Sequence, residues 1–215
     1  MIQLFINNKW LSLENNDNII FVIVPGAGTY RNKLAYQCLE KKYRVIYIGK
    51  SGSEYDKYPD NWQNNGFVES TGHHLGGIYQ LVKEKIYNNI IPSAIICGSR
   101  GGQVTVGKIW ESLWRGPTIM FNAGSLTTQT IIPTGVSILF IIMELDYFKS
   151  VNDPSKVKYL FEKFRVDEKI KMNIIYLKNH YHMPNLNLDL RDLLVQSCKY
   201  MNNHQQYINL PIDFY

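Results

Sequence analysis

The stretch "SAIICGSRGGQVTVGKIW", Ser93 to Trp110, runs from apolar β-branched residues into a serine set among glycines, then into a segment of helical period. Strand, tight turn and helix is the context in which a serine is lifted out as a nucleophile. "CGSRG" is close to the pattern G-x-S-x-G, with Cys97 in place of the first glycine, Ser99 central and Gly101 after it. Small flanking residues suit such a turn, because its backbone is strained and larger side chains strike the elements crossing it. A serine hydroxyl needs a base to take its proton and a third group to orient that base. Candidates stand behind two later apolar runs: Asp146 after "VSILFIIM", and His180 and His182 after "NIIYL". Each also fits a plainer role, Ser99 and Asp146 as helix caps and the histidines as loop hydrogen-bonding groups.

Other chemistries fit less well. "GQVTVGKI" matches G-x-x-x-x-G-K but has Ile109 where a Ser or Thr should reach magnesium, and its β-branched interior belongs to the helix after the serine, so it makes no phosphate loop. His73 and His74 read as capping or surface residues. His180 and His182 have no acidic or cysteine partner at metal-ligand spacing, so we expect no metal and no cofactor. The formal charge of +5 is spread over stretches such as "FEKFRVDEKIK" that mix both signs, as solvated helix faces do, which argues against nucleic acid as a partner. Neither "IIFVIV" nor "ILFIIM" approaches the ~20 apolar residues of a membrane span, and "MIQLFINNKWLSL" has no basic or extended apolar leader region. Cys38, Cys97 and Cys198 form an odd set without paired spacing. That points to a reducing compartment, and we expect a cytoplasmic protein.

The elements that must position these residues follow from periodicity. No repeat or linker divides the 215 residues, so one domain over 1–215 is expected. A hairpin around Asn7 and Asn8 comes first. Short apolar runs then alternate with helical segments, which implies a mostly parallel sheet covered on both faces, an α/β three-layer fold. The runs are "NIIFVIV", "YRVIYIG", "SAIICG", "PTIMFNA", "VSILFIIM" and "NIIYL". Helices are expected over 31–42, 72–89, 101–114, 154–164 and 186–201. Ligands of open α/β sheets bind beyond the carboxyl ends of the strands, where Ser99, Asp146 and the histidines fall.

Serine, then aspartate, then histidine is also the chain order of the α/β-hydrolases, and from about Ile19 onward the chain resembles a small member of that family. "SILFIIMELDYF" is similar to the family's acid strand and turn, "YLKNHYHMP" to its histidine loop, and "FVIVPGAGTYRN" to its first core strand and H-G-x-G loop. The chain differs from the family's pattern at Pro25, Cys97 and Met143. The resemblance implies that Ser99 attacks a carbonyl, His182 removes its proton and Asp146 supports the imidazole, with Glu144 the spare acid. His182 is preferred to His180 because "HMP" resembles the family's histidine, which often precedes an apolar residue and a proline. The backbone N-H groups of Ala27 and Arg100 would form the oxyanion hole. The long connection 49–72 corresponds to a loop facing the family's active site, so Tyr55 and Trp62, with Tyr58 and Phe67, would line its rim.

The function implied is that of a serine hydrolase of the carboxylesterase or thioesterase type, cleaving a small acyl substrate through an acyl-enzyme without a cofactor. A catalytically silent domain of the same fold, binding a small ligand or a protein partner, stays open at this point. The oligomeric state is not indicated.

Overall fold

The structure, a computed structural model, describes residues 2–14, 18–23, 37–48, 67–99, 101–121, 130–145, 159 and 171–177. Six strands form one parallel sheet: β3 (Ile19–Ile23), β4 (Arg44–Ile48), β5 (Ala94–Gly98), β7 (Pro117–Phe121), β8 (Ser137–Met143) and β9 (Lys171–Leu177). Their spatial order is β4-β3-β5-β7-β8-β9. All six expected runs are strands of this sheet. Every residue of β3, β5 and β7 is buried. This is why these runs are continuously apolar rather than alternating. Ser93 sets the level at which β5 starts, because its backbone N-H and its Oγ both donate to the Ile19 carbonyl at 2.8 Å.

The expected hairpin is β1 (Ile2–Ile6) and β2 (Lys9–Leu13), paired antiparallel. Asn7 and Asn8 have φ of 50° and 60°. Asparagine tolerates the left-handed region, and two such residues turn a two-residue loop in the sense of the strands' own twist. Not expected from the sequence is β6 (Trp114–Arg115), which pairs with β1 and completes a three-stranded sheet of order β2-β1-β6. The hairpin docks there. Trp110 and Trp114 are fully buried, with indole N-H groups donating to Thr118 Oγ1 and to the Pro92 carbonyl, each at 3.3 Å. Arg115 lies 3.8 Å over the Trp10 ring and donates from Nε to the Trp110 carbonyl at 2.8 Å.

Two helices are described. The first, α1 (Phe67–Tyr87), begins five residues before the expected start and ends two before the expected stop. The connection after β4 is therefore shorter than the expected 49–72, and Phe67 belongs to the helix rather than to a loop rim. Ile78, Val82 and Ile86 recur every four residues and are buried, as a helix laid on a sheet requires. The second, α2, runs over 101–112. It ends two residues short of expectation because Leu113 takes φ −141° and ψ −55° and Trp114 joins β6. Its middle, Thr105–Ile109, is a π-helical stretch, with the Trp110 N-H bonded to the Thr105 carbonyl. Of the expected helix over 31–42, a 3₁₀ turn at Gln37–Lys41 is described. Tyr159 is helical within the expected 154–164. The expected helix 186–201 lies outside the described residues.

Candidate active site

The order in which the chain adds strands reverses between β3 and β5, while all six strands stay parallel. From β3 the chain steps outward to β4, returns to the other side of β3 as β5, and continues outward through β7 and β8 to β9. At such a switch point the loops leaving the two central strands diverge and open a crevice beyond their carboxyl ends. Ile23, the last residue of β3, pairs with Cys97, and Ser99 follows at once after β5. Ser99 thus stands at the topological position where open α/β sheets commonly bind ligands.

Ser99 is one of four non-glycine residues with positive φ among those described, at 48°. The other three are asparagines, whose short side chains tolerate this region; a serine there is held by its surroundings. Its N-H donates to the Phe121 carbonyl at 2.9 Å, and its carbonyl accepts from the Gly102 N-H at 3.2 Å. These bonds tie the turn to the strand alongside and to the helix after it. Gly101 and Gly102 are both buried in the first turn of α2, where side chains would have to fit between helix and sheet. Ser99 itself is half-buried.

Cys97 is fully buried, and burial pushes its thiol from 9.0 up to about 12. It stays protonated at neutral pH and is no competing nucleophile. The Thr105 side chain offsets part of that rise, and its Oγ1 donates to the Gly101 carbonyl at 2.8 Å. Thr105 was not legible as a site residue. Its one signal is the i to i+4 spacing from Gly101, which lays it over the first turn of the helix.

The acid and the histidines come in sequence after the last two strands, β8 and β9. Gly98 is level with Phe121, Ile141 and Ile175 across the sheet, and β8 and β9 run two residues further, to Met143 and Leu177. Asp146 comes three residues after β8 ends, His180 three and His182 five after β9 ends. Asp146, His180, His182, Ala27, Arg100, Tyr55 and Trp62 lie outside the described residues. Among the described residues no group of His, Cys, Asp or Glu is arranged to hold a metal, and no helix is long and apolar enough to cross a membrane.

Solved structures share this architecture. Esterase PE8 matches with a TM-score of 0.55 at 10% identity, covering 86% of this chain and 93% of its own. SOBER1 from Arabidopsis thaliana matches at 0.55 and 13% identity, covering 86% and 99%. XC6422 from Xanthomonas campestris, described as an α/β serine hydrolase without a lid, matches at 0.53 and 13% identity, covering 93% and 87%. The chain has an α/β-hydrolase fold. No sequence profile of a known family matches it, and no curated protein matches at significance. In this fold Ser99 follows β5 directly, and α2 begins two residues later at Gly101.

Proposed function

We propose that the protein is a serine hydrolase that cleaves an ester or thioester through an acyl-enzyme. The observation that carries this reading is the φ of 48° at Ser99, on the turn between β5 and α2 at the sheet's switch point. A strained conformation at a candidate nucleophile is what presenting Oγ above the strand ends requires. That the solved structures of this fold include a named esterase and a named serine hydrolase supports the same reading.

In the proposed mechanism His182 takes the Ser99 proton as Oγ attacks the acyl carbonyl, and Asp146 holds the imidazole and stabilises its cation. The N-H groups of Ala27 and Arg100 receive the oxyanion. His182 then returns the proton to the leaving alcohol or thiol, and water repeats the sequence on the acyl-enzyme. Tyr55 and Trp62 would contact the acyl or leaving group. The reach is compatible: strands ~4.8 Å apart put the end of β8 about 10 Å and the end of β9 about 14 Å from β5. Three residues span up to ~10 Å and five up to ~17 Å.

The test is a fluorophosphonate label, which needs an activated serine. Wild-type protein should be labelled at Ser99 and should hydrolyse short p-nitrophenyl esters; Ser99→Ala should do neither while staying folded. A folded wild type that takes no label would instead favour the silent, ligand-binding domain.

A further inference from the structure

The helix that leaves the turn carries a polar atom with nothing to bind. Gln103, in the first turn of α2, is half-buried, and its Oε1 is enclosed by protein with no hydrogen-bond donor among the described residues. Holding a carboxamide oxygen away from water and unpaired is unfavourable, and an apolar side chain would avoid the penalty. Because the residue as a whole is only half-buried, the enclosed oxygen is the inner end of a side chain that elsewhere meets solvent.

The described donors around it are committed. The Ser99 N-H goes to the Phe121 carbonyl, the Gly102 N-H to the Ser99 carbonyl and the Thr105 hydroxyl to the Gly101 carbonyl. Each of these bonds holds backbone at the turn or in the first turn of the helix. Gly101 and Gly102, next to Gln103 in the chain, have no side chains to offer.

Spacing says where a donor would have to arrive. Gln103 comes four residues after Ser99, and the bond from the Gly102 N-H to the Ser99 carbonyl joins the serine to the start of the helix. Residues four apart share a face, with roughly 5–6 Å between their Cβ atoms, and long helical side chains lean toward the N-terminus. A glutamine at this position reaches back over the turn. An acyl group held at Ser99 Oγ would bring its first two carbons beyond the carbonyl within that reach.

We infer that Gln103 is a specificity-determining residue, its Oε1 accepting a hydrogen bond from a hydroxyl on the substrate's acyl group, at the carbon next to the scissile carbonyl or one further out. This rests on the serine hydrolase reading. An acceptor left unpaired in the free protein suits the role, because it gains its bond only when the right acyl group is bound. An acyl group without the donor leaves it unpaired, which is how a polar site rejects an apolar analogue.

The test compares esters matched in everything but the donor. Phenyl lactate and phenyl 2-methoxypropanoate carry the same electronegative oxygen beside the carbonyl, but only the first can donate a hydrogen bond. Phenyl 3-hydroxybutanoate and phenyl 3-methoxybutanoate make the comparison one carbon further out. Wild-type protein should favour the hydroxy ester by about tenfold or more in kcat/KM in one of the two pairs, which also locates the donor. Gln103→Met, of similar length but without the acceptor, should bring that ratio to within about twofold of one. A preference due only to the bulk of the methoxy group would survive this substitution. The urea midpoint of Gln103→Met should rise, since the change removes an unpaired buried acceptor. No hydroxyl preference in either pair, or the same preference in Gln103→Met, overturns the inference. A midpoint that falls overturns it too, by showing that the oxygen already has a structural donor in the free protein. Fluorophosphonate labelling keeps the two readings apart. A protein that is labelled but shows no hydroxyl preference loses this inference alone; one that takes no label loses the hydrolase reading and the inference with it.

Discussion

The Ser99 backbone N-H donates to the Phe121 carbonyl at 2.9 Å, one residue beyond the last paired position of β5 and β7, Gly98 with Phe121. The neighbouring strand therefore fixes where β5 stops being a strand. The chain must leave the sheet at Ser99, and it does so through a φ that an L-residue adopts at a cost.

That cost is measurable. Glycine reaches this region freely, so Ser99→Gly should be more stable than Ser99→Ala by about 1 kcal/mol, although glycine is ordinarily the worse residue for stability. Urea unfolding of the two variants gives the difference. Equal stability, or a more stable alanine variant, would show that the turn is unstrained and would remove the main support for Ser99 as nucleophile.

The assignment within "NHYHMP" separates by mutation. On the proposed reading His182→Ala should lower kcat/KM for a short ester by about a thousandfold or more. His180→Ala should stay within a few-fold of wild type. The reverse pattern would place the base at His180.

The sheet was legible because its central strands β3, β5 and β7 are buried throughout and bounded by turn residues, as "SAIICG" and "PTIMFNA" show. The hairpin was legible because Asn7 and Asn8 carry their own turn chemistry. What failed was local pattern against tertiary pairing. Ile109, Trp110, Leu113 and Trp114 continue a helical period, yet Trp114 leaves the helix to pair with Leu4 of β1. Residues 67–72 include Val68, Thr71 and Gly72, all weak helix formers, and they are helical nonetheless. The turn at Ser99 was readable from its neighbours in sequence. That Thr105 is fully buried depends on how helix and strand cross, which no spacing rule encodes.

The hairpin's hold on the domain can be loosened at Arg115. Its guanidinium lies over Trp10 and its Nε bonds the Trp110 carbonyl, so Arg115→Met removes a cation-π contact and a charge-assisted hydrogen bond while keeping most of the stem. Together these should be worth about 1–2 kcal/mol. Arg115→Lys should recover only part of that, since an ammonium does not stack as a planar guanidinium does. Urea unfolding midpoints for the three proteins check the order. A lysine variant as stable as wild type would mean that charge alone, not stacking, holds the hairpin.

The buried thiol makes stability depend on pH in a definite direction. Cys97 ionises near 9.0 when unfolded and at about 12 in the fold, where burial opposes the thiolate. Below pH 9 both states hold the proton, and the group adds no slope. Between pH 9 and 12 the unfolded chain has lost it while the native state keeps it, so stability falls as pH rises. The fall approaches ~1.4 kcal/mol per pH unit at its steepest. Tyrosines and lysines titrate in the same range, so the informative quantity is wild type minus Cys97→Ala. Removing the buried Sγ leaves a small cavity, which lowers the variant's stability by a fixed amount at neutral pH. Above pH 9 the wild type should lose that advantage progressively, and the two unfolding curves should converge and then cross. Urea titrations from pH 7 to 11 measure this. A difference that stays constant across the range would mean that water reaches the thiol in the folded state.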